Sequence, residues 1–445
     1  MPATQQDRKS APASAPWKIV WVAFLVRIAY MTLAHTWQIR PYGDHFQFGW
    51  EMGRIGRALA TGYGFADPFG SHTGPTAWVT PLYPLLIGGV FKVLGVYTAP
   101  SAWLLLAINC VFSALMVSTT WELGARCFNP SVARWSAWIW ALYPAAMQYA
   151  VRWVWEMTIT AFLFSWVLVL ALRMRNIGGP PEQAAAAMTR GRWAWFGLLW
   201  GLIALSNPSL LLFLPFCGLW ILAGAADWKR QTSNVVLASC LCLASIAPWS
   251  YRNWRVFQHF VPMRANFGAE FAMGNSPGAN GLLIGAPVAL PSQMHFYQEV
   301  GEIAYAKTRG REAIAYISRN RGHFLALSLR RVYYYWAGVP HSAFDAPWIE
   351  YGRNLNFCFA SVAGLVGLAL ALHRRVPASA LFAMALLVVP LVYYFVFVQA
   401  RQRHPIEPLL VVLGVYLFQS ATRRGRKPDG SLHRLSSLRH GSRGR

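Results

Sequence analysis

Carboxylates at the boundaries of apolar segments are the residues of this sequence best suited to do chemistry. Asp and Glu number 16 in 445 residues, so an acid in such a position is unusual. Asp44 follows the first apolar segment, and Glu156 stands just before a later one. A carboxylate there can act as a general base for an incoming hydroxyl. The alternative for Asp44 is a cap on a helix predicted over 46–60. For Glu156 the alternative is an i,i+4 ion pair with Arg152.

Basic side chains that could bind an anion occur at boundaries of the same kind. Arg401, Arg403 and His404 lie just before the last apolar segment. Guanidinium groups make bidentate contacts with phosphate oxygens, so this triplet predicts a phosphate clamp. Arg252 and Asn253, at the end of another apolar segment, are candidates for the same ligand. The alternative for the arginines is an ordinary cationic side chain that extends from the end of a span towards water.

Together these residue types fit the transfer of a group from a phosphate to a hydroxyl. Such a transfer needs a base for the acceptor hydroxyl and cations for the departing phosphate. Asp44 is the predicted base, which implies inversion at the carbon that the hydroxyl attacks, and Glu156 is predicted to orient the acceptor or bind a cation. His45 could assist Asp44 or contact the phosphate, although a lone histidine is more often structural. The two carboxylates could hold a divalent cation, but their spacing does not decide this, and no other cofactor is indicated.

The elements that must position these residues are long apolar segments. The chain is 56% hydrophobic and 13% charged, and roughly 20 apolar residues cross a bilayer. Backbone polar groups in lipid must be paired within the segment, which favours helices. The sequence therefore predicts an all-α polytopic membrane protein with about ten transmembrane helices, outer-face juxtamembrane helices and a periplasmic loop region. The predicted spans are 19–36, 100–121, 135–151, 157–172, 193–206, 208–226, 234–250, 356–372, 378–398 and 408–420.

The distribution of charge orients these spans. The net charge is +24, and the basic residues lie mainly in short loops and in the C-terminal tail. Such a bias is typical of cytoplasmic loops, so no nucleic-acid partner is predicted. The outer face then receives 37–80, Arg152 to Glu156, 251–355 and Arg401 to Pro408. This layout requires 81–97 to be an interfacial or re-entrant helix instead of a span.

All six cysteines lie in or beside apolar segments, so neither a disulfide framework nor a zinc site is predicted.

Five regions follow from this layout, each with its own predicted place. The regions are a cytoplasmic N-terminal segment (1–18), a transmembrane catalytic core with a first outer loop (19–250, loop 37–80), an outer-face periplasmic loop or cap region (251–355), C-terminal transmembrane helices (356–420) and a basic, disordered cytoplasmic tail (421–445).

Three stretches, in this order and on one predicted face, resemble the C-type superfamily of integral-membrane glycosyltransferases. The first is Asp44 with Ala60-Thr-Gly-Tyr-Gly-Phe65 and Pro81-Leu-Tyr83-Pro84. The second runs from Pro144 to Glu156. The third combines Ala247-Pro-Trp-Ser-Tyr-Arg252-Asn253 with Arg401-Gln-Arg-His404-Pro. The closer similarity is to the protein O-mannosyltransferase and lipid-A aminoarabinose-transferase branch. Its protein O-mannosyltransferases carry an Asp-Glu pair where this chain has Asp44-His45, which favours the bacterial members with a single acid.

The resemblance implies both a function and partners. It implies a hexosyl or pentosyl transfer from a polyprenyl-phosphate sugar donor to an envelope acceptor, which is a lipid, a glycan or a protein. The enzyme would be a multi-pass protein of the bacterial inner (plasma) membrane, in contact with membrane lipids and with its site at the outer face. Tyr83, in the aromatic-proline stretch of the first outer loop, is then a candidate substrate-binding residue.

Two other classes of protein fit part of the pattern. A transporter or flippase for a lipid-linked sugar would carry acids and bases near the middle of its spans. In this sequence the candidate residues lie at the ends of spans, and Arg27 is the clear exception. A non-catalytic envelope assembly protein would not need the outer acids.

Overall fold

The computed structural model describes residues 16–39, 48–69, 72–184, 187–282, 290–340 and 347–425, and within these ranges the chain is predominantly helical. Two isolated β-bridges are the only extended pairings in the described part. The predicted all-α architecture is therefore confirmed. The first nine helices are α1 (Trp17–Leu33), α2 (Glu51–Ala60), α3 (Leu82–Leu94), α4 (Ala99–Cys127), α5 (Pro130–Leu142), α6 (Pro144–Arg152), α7 (Met157–Met174), α8 (Arg190–Ala204) and α9 (Leu214–Leu222). They are followed by α10 (Thr232–Phe257), α11 (Phe267–Gly274), α12 (Pro291–Val300), α13 (Glu302–Arg319), α14 (Arg321–Ala337), α15 (Pro347–His373), α16 (Ser379–Val388), α17 (Leu391–Phe395) and α18 (Glu407–Gly425).

Several of these helices have the length and composition of membrane spans. In the described part of the chain, four are by themselves long and apolar enough to cross a bilayer: Ala99–Cys127, Met157–Met174, Lys229–Phe257 and Glu350–His373. Other predicted spans are interrupted near a proline, because proline has no backbone N–H to donate to the hydrogen-bond pattern of the helix. Pro144 separates α5 from α6, and Pro390 separates α16 from α17.

The longest helix, α4, organises one side of the bundle. It starts at Thr98, whose hydroxyl accepts a hydrogen bond from the Ser101 amide at 3.3 Å, with a proline in its first turn. Its 29 residues pack against α1, α5, α6 and α7. The buried Arg27 of α1 donates to Ser113 Oγ of α4 at 2.9 Å and to the Ala141 carbonyl of α5 at 2.7 Å. This basic residue inside a predicted span therefore joins three helices.

One end of the bundle collects the loops predicted to be cytoplasmic. Glu122, near the end of α4, pairs with Arg126 at 2.6 Å and with Arg173 of α7 at 2.8 Å. Phe128, just after α4, stacks on Tyr416 of α18 with ring centres 4.1 Å apart, and Arg374 after α15 donates to Ser420 Oγ of the same helix at 3.0 Å. The helix ends that lead to these basic loops thus lie together.

The opposite end holds both termini of α3. The Leu82 amide donates to the Leu205 carbonyl, at the end of α8, at 3.1 Å. The C-terminal end of α3 leads into the start of α4, and α4 reaches the Glu122 end only at its other terminus. Helix α3 therefore starts and ends at one end of the bundle, and the interfacial or re-entrant placement of 81–97 stays a prediction.

The segment between α10 and α15 forms a helical region over this second end. It contains α11 to α14, and α13 and α14 are its two longest helices. Helix α13 packs against α11, and α14 packs against α15 and α17. The helix predicted over 46–60 begins later, at Glu51, within the described residues.

Candidate functional site

A cavity opens at the bundle end that carries α3 and the start of α7. Its wall combines segments far apart in sequence, from the start of α7, the stretch before α9, the stretch around α11 and the turn before α18. The lining residues are Glu156, Met157, Thr160, Asn207, Ser209, Arg264, Phe267, Glu270, Val392, Tyr393, Val396, Phe397, Arg401, Gln402 and Pro405. The cavity therefore has both charged and apolar walls.

Glu156 places a carboxylate in this cavity, directly before the first residue of α7. Its Oε2 atom is buried and has no hydrogen-bond partner among the described residues. Burial raises the pKa of this carboxyl, and the nearby Arg401 opposes the shift. The proposed i,i+4 pair with Arg152 is wrong, because α6 ends at Arg152 and that side chain points into solvent.

Arg401 is the guanidinium that faces Glu156 across the cavity. It lies in a 3-10 turn, Ala400–Ile406, and stacks over the Trp155 ring at 3.8 Å from the ring centre. Its buried Nη1 atom has no hydrogen-bond partner in the described part of the chain. Burial lowers the pKa of Arg401, while Glu156, Glu51 and Glu270 favour its charged form. The site thus contains a fixed cation with unused donors.

Arg264 and Glu270 supply a second pair of charges to the same wall. Arg264 Nη2 lies 3.4 Å from Glu270 Oε2. Glu270 Oε1 also accepts a hydrogen bond from Asn266 Nδ2 at 2.8 Å. Glu270 therefore has a partner on each of its two carboxylate oxygens.

Arg403 and His404 lie outside the cavity, in a buried network. Both are fully buried. Arg403 donates to the Phe357 carbonyl at 3.0 Å and to Ser361 Oγ at 2.6 Å. His404 Nδ1 lies 2.8 Å from Glu407 Oε2, and Arg403 Nη2 is 3.4 Å from the other carboxylate oxygen. Their polar groups therefore join the 3-10 turn to α15 and α18, and the structure brings only Arg401 of this triplet to the cavity.

Arg252 and Asn253 also bond to the protein itself. Arg252 donates to the backbone carbonyls of Thr76 and Phe65, both at 2.7 Å. Asn253 is fully buried and donates to the Val261 carbonyl at 3.0 Å. Neither residue lines the cavity. Arg252 instead holds the described part of the first outer loop against the end of α10.

Glu302 holds the same loop from the other side. This buried carboxylate accepts hydrogen bonds from the Thr76 hydroxyl at 2.5 Å and from the Ala77 amide at 2.8 Å. Tyr297 donates a third, at 3.0 Å. Burial raises the pKa of Glu302, and these hydrogen bonds oppose that shift. The loop is thereby fastened to both α10 and α13.

Replacing Arg252 by methionine should release this loop. The change removes two charge-assisted hydrogen bonds to backbone carbonyls, so we expect a loss of about 2–3 kcal/mol in stability and faster proteolysis within 65–77. Thermal unfolding and limited proteolysis in detergent measure both effects. The matched control is Arg255→Met on the same helix, where the arginine is exposed and contacts Tyr251. Equal stability of the two variants would contradict the structural role of Arg252.

Tyr83 is buried close behind Glu156. Asn109 Nδ2 donates to Tyr83 Oη at 3.0 Å and to the Trp153 carbonyl at 2.9 Å. Tyr83 is 2% exposed and does not line the cavity. It therefore positions the segment that leads to Glu156, and its predicted contact with substrate stays a prediction.

Asp44 and His45 fall within 40–47, outside the described residues. Their predicted roles stay predictions. Across the described ranges, no group of three or more His, Cys, Asp or Glu side chains is arranged to hold a metal ion. The predicted use of a divalent cation therefore has no support from the described side chains.

Comparison with solved structures finds the same fold in an archaeal oligosaccharyltransferase. The apo structure of the enzyme from Archaeoglobus fulgidus aligns with a TM-score of 0.53 at 17% identity, over 92% of this chain and 50% of that chain. A second structure, AglB from the same organism in complex with an inhibitory peptide and a dolichol-phosphate, gives a TM-score of 0.50 at 17% identity, over 92% and 51%. ArnT from Cupriavidus metallidurans, bound to undecaprenyl phosphate, aligns less closely, with a TM-score of 0.37 at 13% identity over 90% and 78%. Neither a family model nor a curated protein matches the sequence.

The chain has the same fold as the archaeal oligosaccharyltransferase. This confirms, at the level of fold, the resemblance that the outer-face motifs indicated. The chain spans about half the length of the oligosaccharyltransferase chains that it matches. The cavity lies where the start of α7, the stretch around α11 and the turn before α18 come together.

Three charged residues near the cavity were missed in the sequence: Glu51, Arg264 and Glu270. The signal that singled out Asp44 and Glu156 was the scarcity of acids, and it applies equally to Glu51 and Glu270. Neither adjoins a long apolar segment, so position along the chain did not distinguish them. Only the packing of α2 and α11 against the rest of the molecule brings them close to Arg401.

Proposed function

We propose that this chain is a glycosyltransferase that moves a hexosyl or pentosyl group from a polyprenyl-phosphate donor to an envelope acceptor. The observation that carries the proposal is Arg401 facing Glu156 across one cavity. A guanidinium with unused donors suits a phosphate, and a carboxylate on the facing wall suits a hydroxyl. The proposed place is the outer face of the bacterial inner membrane.

The proposed reaction is a single displacement with inversion. The acceptor oxygen forms a bond to the anomeric carbon as the bond from that carbon to the phosphate oxygen breaks. The phosphate leaves with the electron pair, and Arg401 stabilises its charge. Asp44 takes the proton of the acceptor hydroxyl, and Glu156 orients that hydroxyl.

The apolar surface supports a lipid donor. Large apolar side chains are exposed along α15, among them Tyr351 (75%), Leu355 (73%) and Phe359 (59%). This face passes the buried network that anchors the turn carrying Arg401. A polyprenyl chain could therefore lie in the bilayer while its phosphate enters the cavity. The fold shared with AglB, whose structure holds a dolichol-phosphate, supports the same donor class.

The test is release of polyprenyl phosphate by the purified full-length chain. A panel of polyprenyl-phosphate sugars, each labelled in the sugar, is offered together with envelope extract as the acceptor source. We expect free polyprenyl phosphate and transferred label in equal amounts from at least one donor. The variant Glu156→Gln should lower the rate about tenfold, because the acceptor is less well oriented. The control Glu299→Gln changes an exposed acid on α12 and should leave the rate unchanged.

Other outcomes separate the alternatives. Passage of an intact lipid-linked sugar across a sealed vesicle, without release of polyprenyl phosphate, would favour the flippase. Absence of both release and passage with every donor in the panel would contradict the proposed enzyme.

A further inference from the structure

Three arginines lie around one glutamate at the end of the bundle opposite the cavity. Arg126 Nε donates to one carboxylate oxygen of Glu122 at 2.6 Å, and Arg173 Nη2 donates to the other at 2.8 Å. Arg192 Nη1 donates to the backbone carbonyl of Arg173 at 3.0 Å and to that of Ala187 at 2.6 Å. The end of α4, the end of α7 and the start of α8 therefore contribute one guanidinium each to this arginine cluster.

The guanidinium groups of the arginine cluster outnumber the acids that contact them. Within the described ranges Glu122 is the one carboxylate paired with Arg126 or Arg173, and none is paired with Arg192. Arg192 lies close enough to the other two arginines for their like charges to act on it. Three positive charges beside one negative charge repel each other, so the cluster favours an anion.

The other acids in the loops of this end do not offset the excess. Glu182 is exposed on a 3-10 turn, and Asp227 pairs with the exposed Arg230 at 3.2 Å. Two further arginines, Arg175 and Arg190, lie within two residues of the cluster in sequence and add positive charge. The local charge therefore stays positive when these groups are counted.

Several nitrogens of the arginine cluster are available to a ligand. Arg173 Nε is buried and has no hydrogen-bond partner in the described part of the chain. Both hydrogen bonds of Arg192 come from Nη1, which leaves its other nitrogens for a ligand. The side chains of Arg126 and Arg173 are 22% and 34% exposed, so an anion can reach them. Guanidinium groups with free donors are well suited to phosphate oxygens.

A line of aromatic side chains leads along the seam between α4 and α7 to the arginine cluster. Phe112 of α4 contacts Phe162 of α7, with ring centres 5.2 Å apart. Phe162 in turn lies 6.5 Å from Trp166, and the Arg173 guanidinium lies over the Trp166 ring at 5.3 Å from its centre. All three rings are partly exposed, on two helices that have the length and composition of membrane spans. The seam therefore offers an apolar path that ends at the cations.

We propose that the arginine cluster binds the phosphate of an anionic phospholipid, with an acyl chain of that lipid lying along Phe162 and Trp166. Basic pockets between spans on the cytoplasmic side of a membrane suit anionic headgroups, and this end carries the loops predicted to be cytoplasmic. A zwitterionic headgroup has no net negative charge to offset the excess, and a soluble phosphate would make no use of the aromatic path. The site is separate from the cavity and does not depend on the proposed reaction.

The experiment measures binding of phosphatidylglycerol to the lipid-depleted, full-length chain by native mass spectrometry. We expect phosphatidylethanolamine to bind at least fivefold more weakly. Arg192→Gln should weaken the binding of phosphatidylglycerol about fivefold, the effect of one basic charge near a lipid headgroup, and Arg192→Lys should restore most of it.

Glu122→Gln provides a readout that a purely structural cluster would not give. It removes the competing carboxylate and frees donors of Arg126 and Arg173, so phosphatidylglycerol should bind severalfold more tightly than to the wild type. Weaker binding by this variant would contradict the proposal. The variant also keeps the test decisive if Arg192→Gln fails to fold.

The matched control is Arg190→Gln, which removes an exposed arginine from the same turn of α8 and should leave lipid binding unchanged. Equal losses in Arg190→Gln and Arg192→Gln would show a general effect of charge and overturn the site. Equal affinity for phosphatidylglycerol and phosphatidylethanolamine would also overturn it. Glycerophosphoglycerol, the same headgroup without acyl chains, should not displace the lipid at equal concentration, and displacement would overturn the assignment of a lipid.

Discussion

Replacing Asp44 by asparagine should lower the rate of sugar transfer by about 100- to 10,000-fold. Loss of a general base has an effect of this size, because the acceptor hydroxyl must then lose its proton to water. Asparagine keeps the size and polarity of the side chain, so donor affinity should change little. The measurement is kcat for release of polyprenyl phosphate by purified protein, together with the dissociation constant for undecaprenyl methyl phosphate.

The control for Asp44→Asn is Asp227→Asn, an exposed acid in a predicted cytoplasmic loop. Full activity of the Asp44 variant would contradict its role as base. The base would then have to be sought among the carboxylates around Arg401, and Glu156 would be the first to examine.

Replacing Arg401 by glutamine should reduce kcat/KM by about 100- to 1,000-fold. The guanidinium is the only side chain of the predicted phosphate clamp that lines the cavity, so the departing phosphate would lose its principal cation. Arg401→Lys keeps the charge but loses the planar pair of donors and the stacking on Trp155. We therefore expect the lysine variant to recover only part of the activity.

The matched control for Arg401 is Arg330→Gln, an exposed arginine on α14. It removes one positive charge from the same end of the molecule without touching the cavity. If both glutamine variants lose activity equally, the effect of Arg401 is one of overall charge. If neither loses activity, the proposed phosphate site is wrong.

The predicted clamp of Arg401, Arg403 and His404 shows where the sequence was insufficient. All three are polar, close in sequence and next to a span, so nothing in the pattern separates them. In a 3-10 helix of three residues per turn, residues two apart point to different sides. Arg401 consequently faces the cavity while Arg403 points into the protein, where Glu407 balances it.

The same limit applies to Arg252 and to Glu51. Arg252 follows an apolar segment, which made it a candidate phosphate ligand. Its guanidinium instead donates hydrogen bonds to two backbone carbonyls of the first outer loop. Glu51 adjoins no long apolar segment, yet it lies close enough to Arg401 to favour the charged form of that guanidinium. Both placements depend on partners more than 100 residues away in the chain, and spacing along the sequence carries no information about them.

The class of protein, the helical segments, the grouping of basic loops at one end and the acid at the start of α7 could all be predicted from the order of residues. Each follows from local rules: apolar length sets a span, charge bias sets its orientation, and proline marks where a helix breaks. The choice of which charged groups share the cavity could not be predicted in this way. That choice depends on long-range packing of α2, α11 and the 3-10 turn around α7, which brings Glu51, Glu156, Glu270 and Arg401 together from across 350 residues of chain.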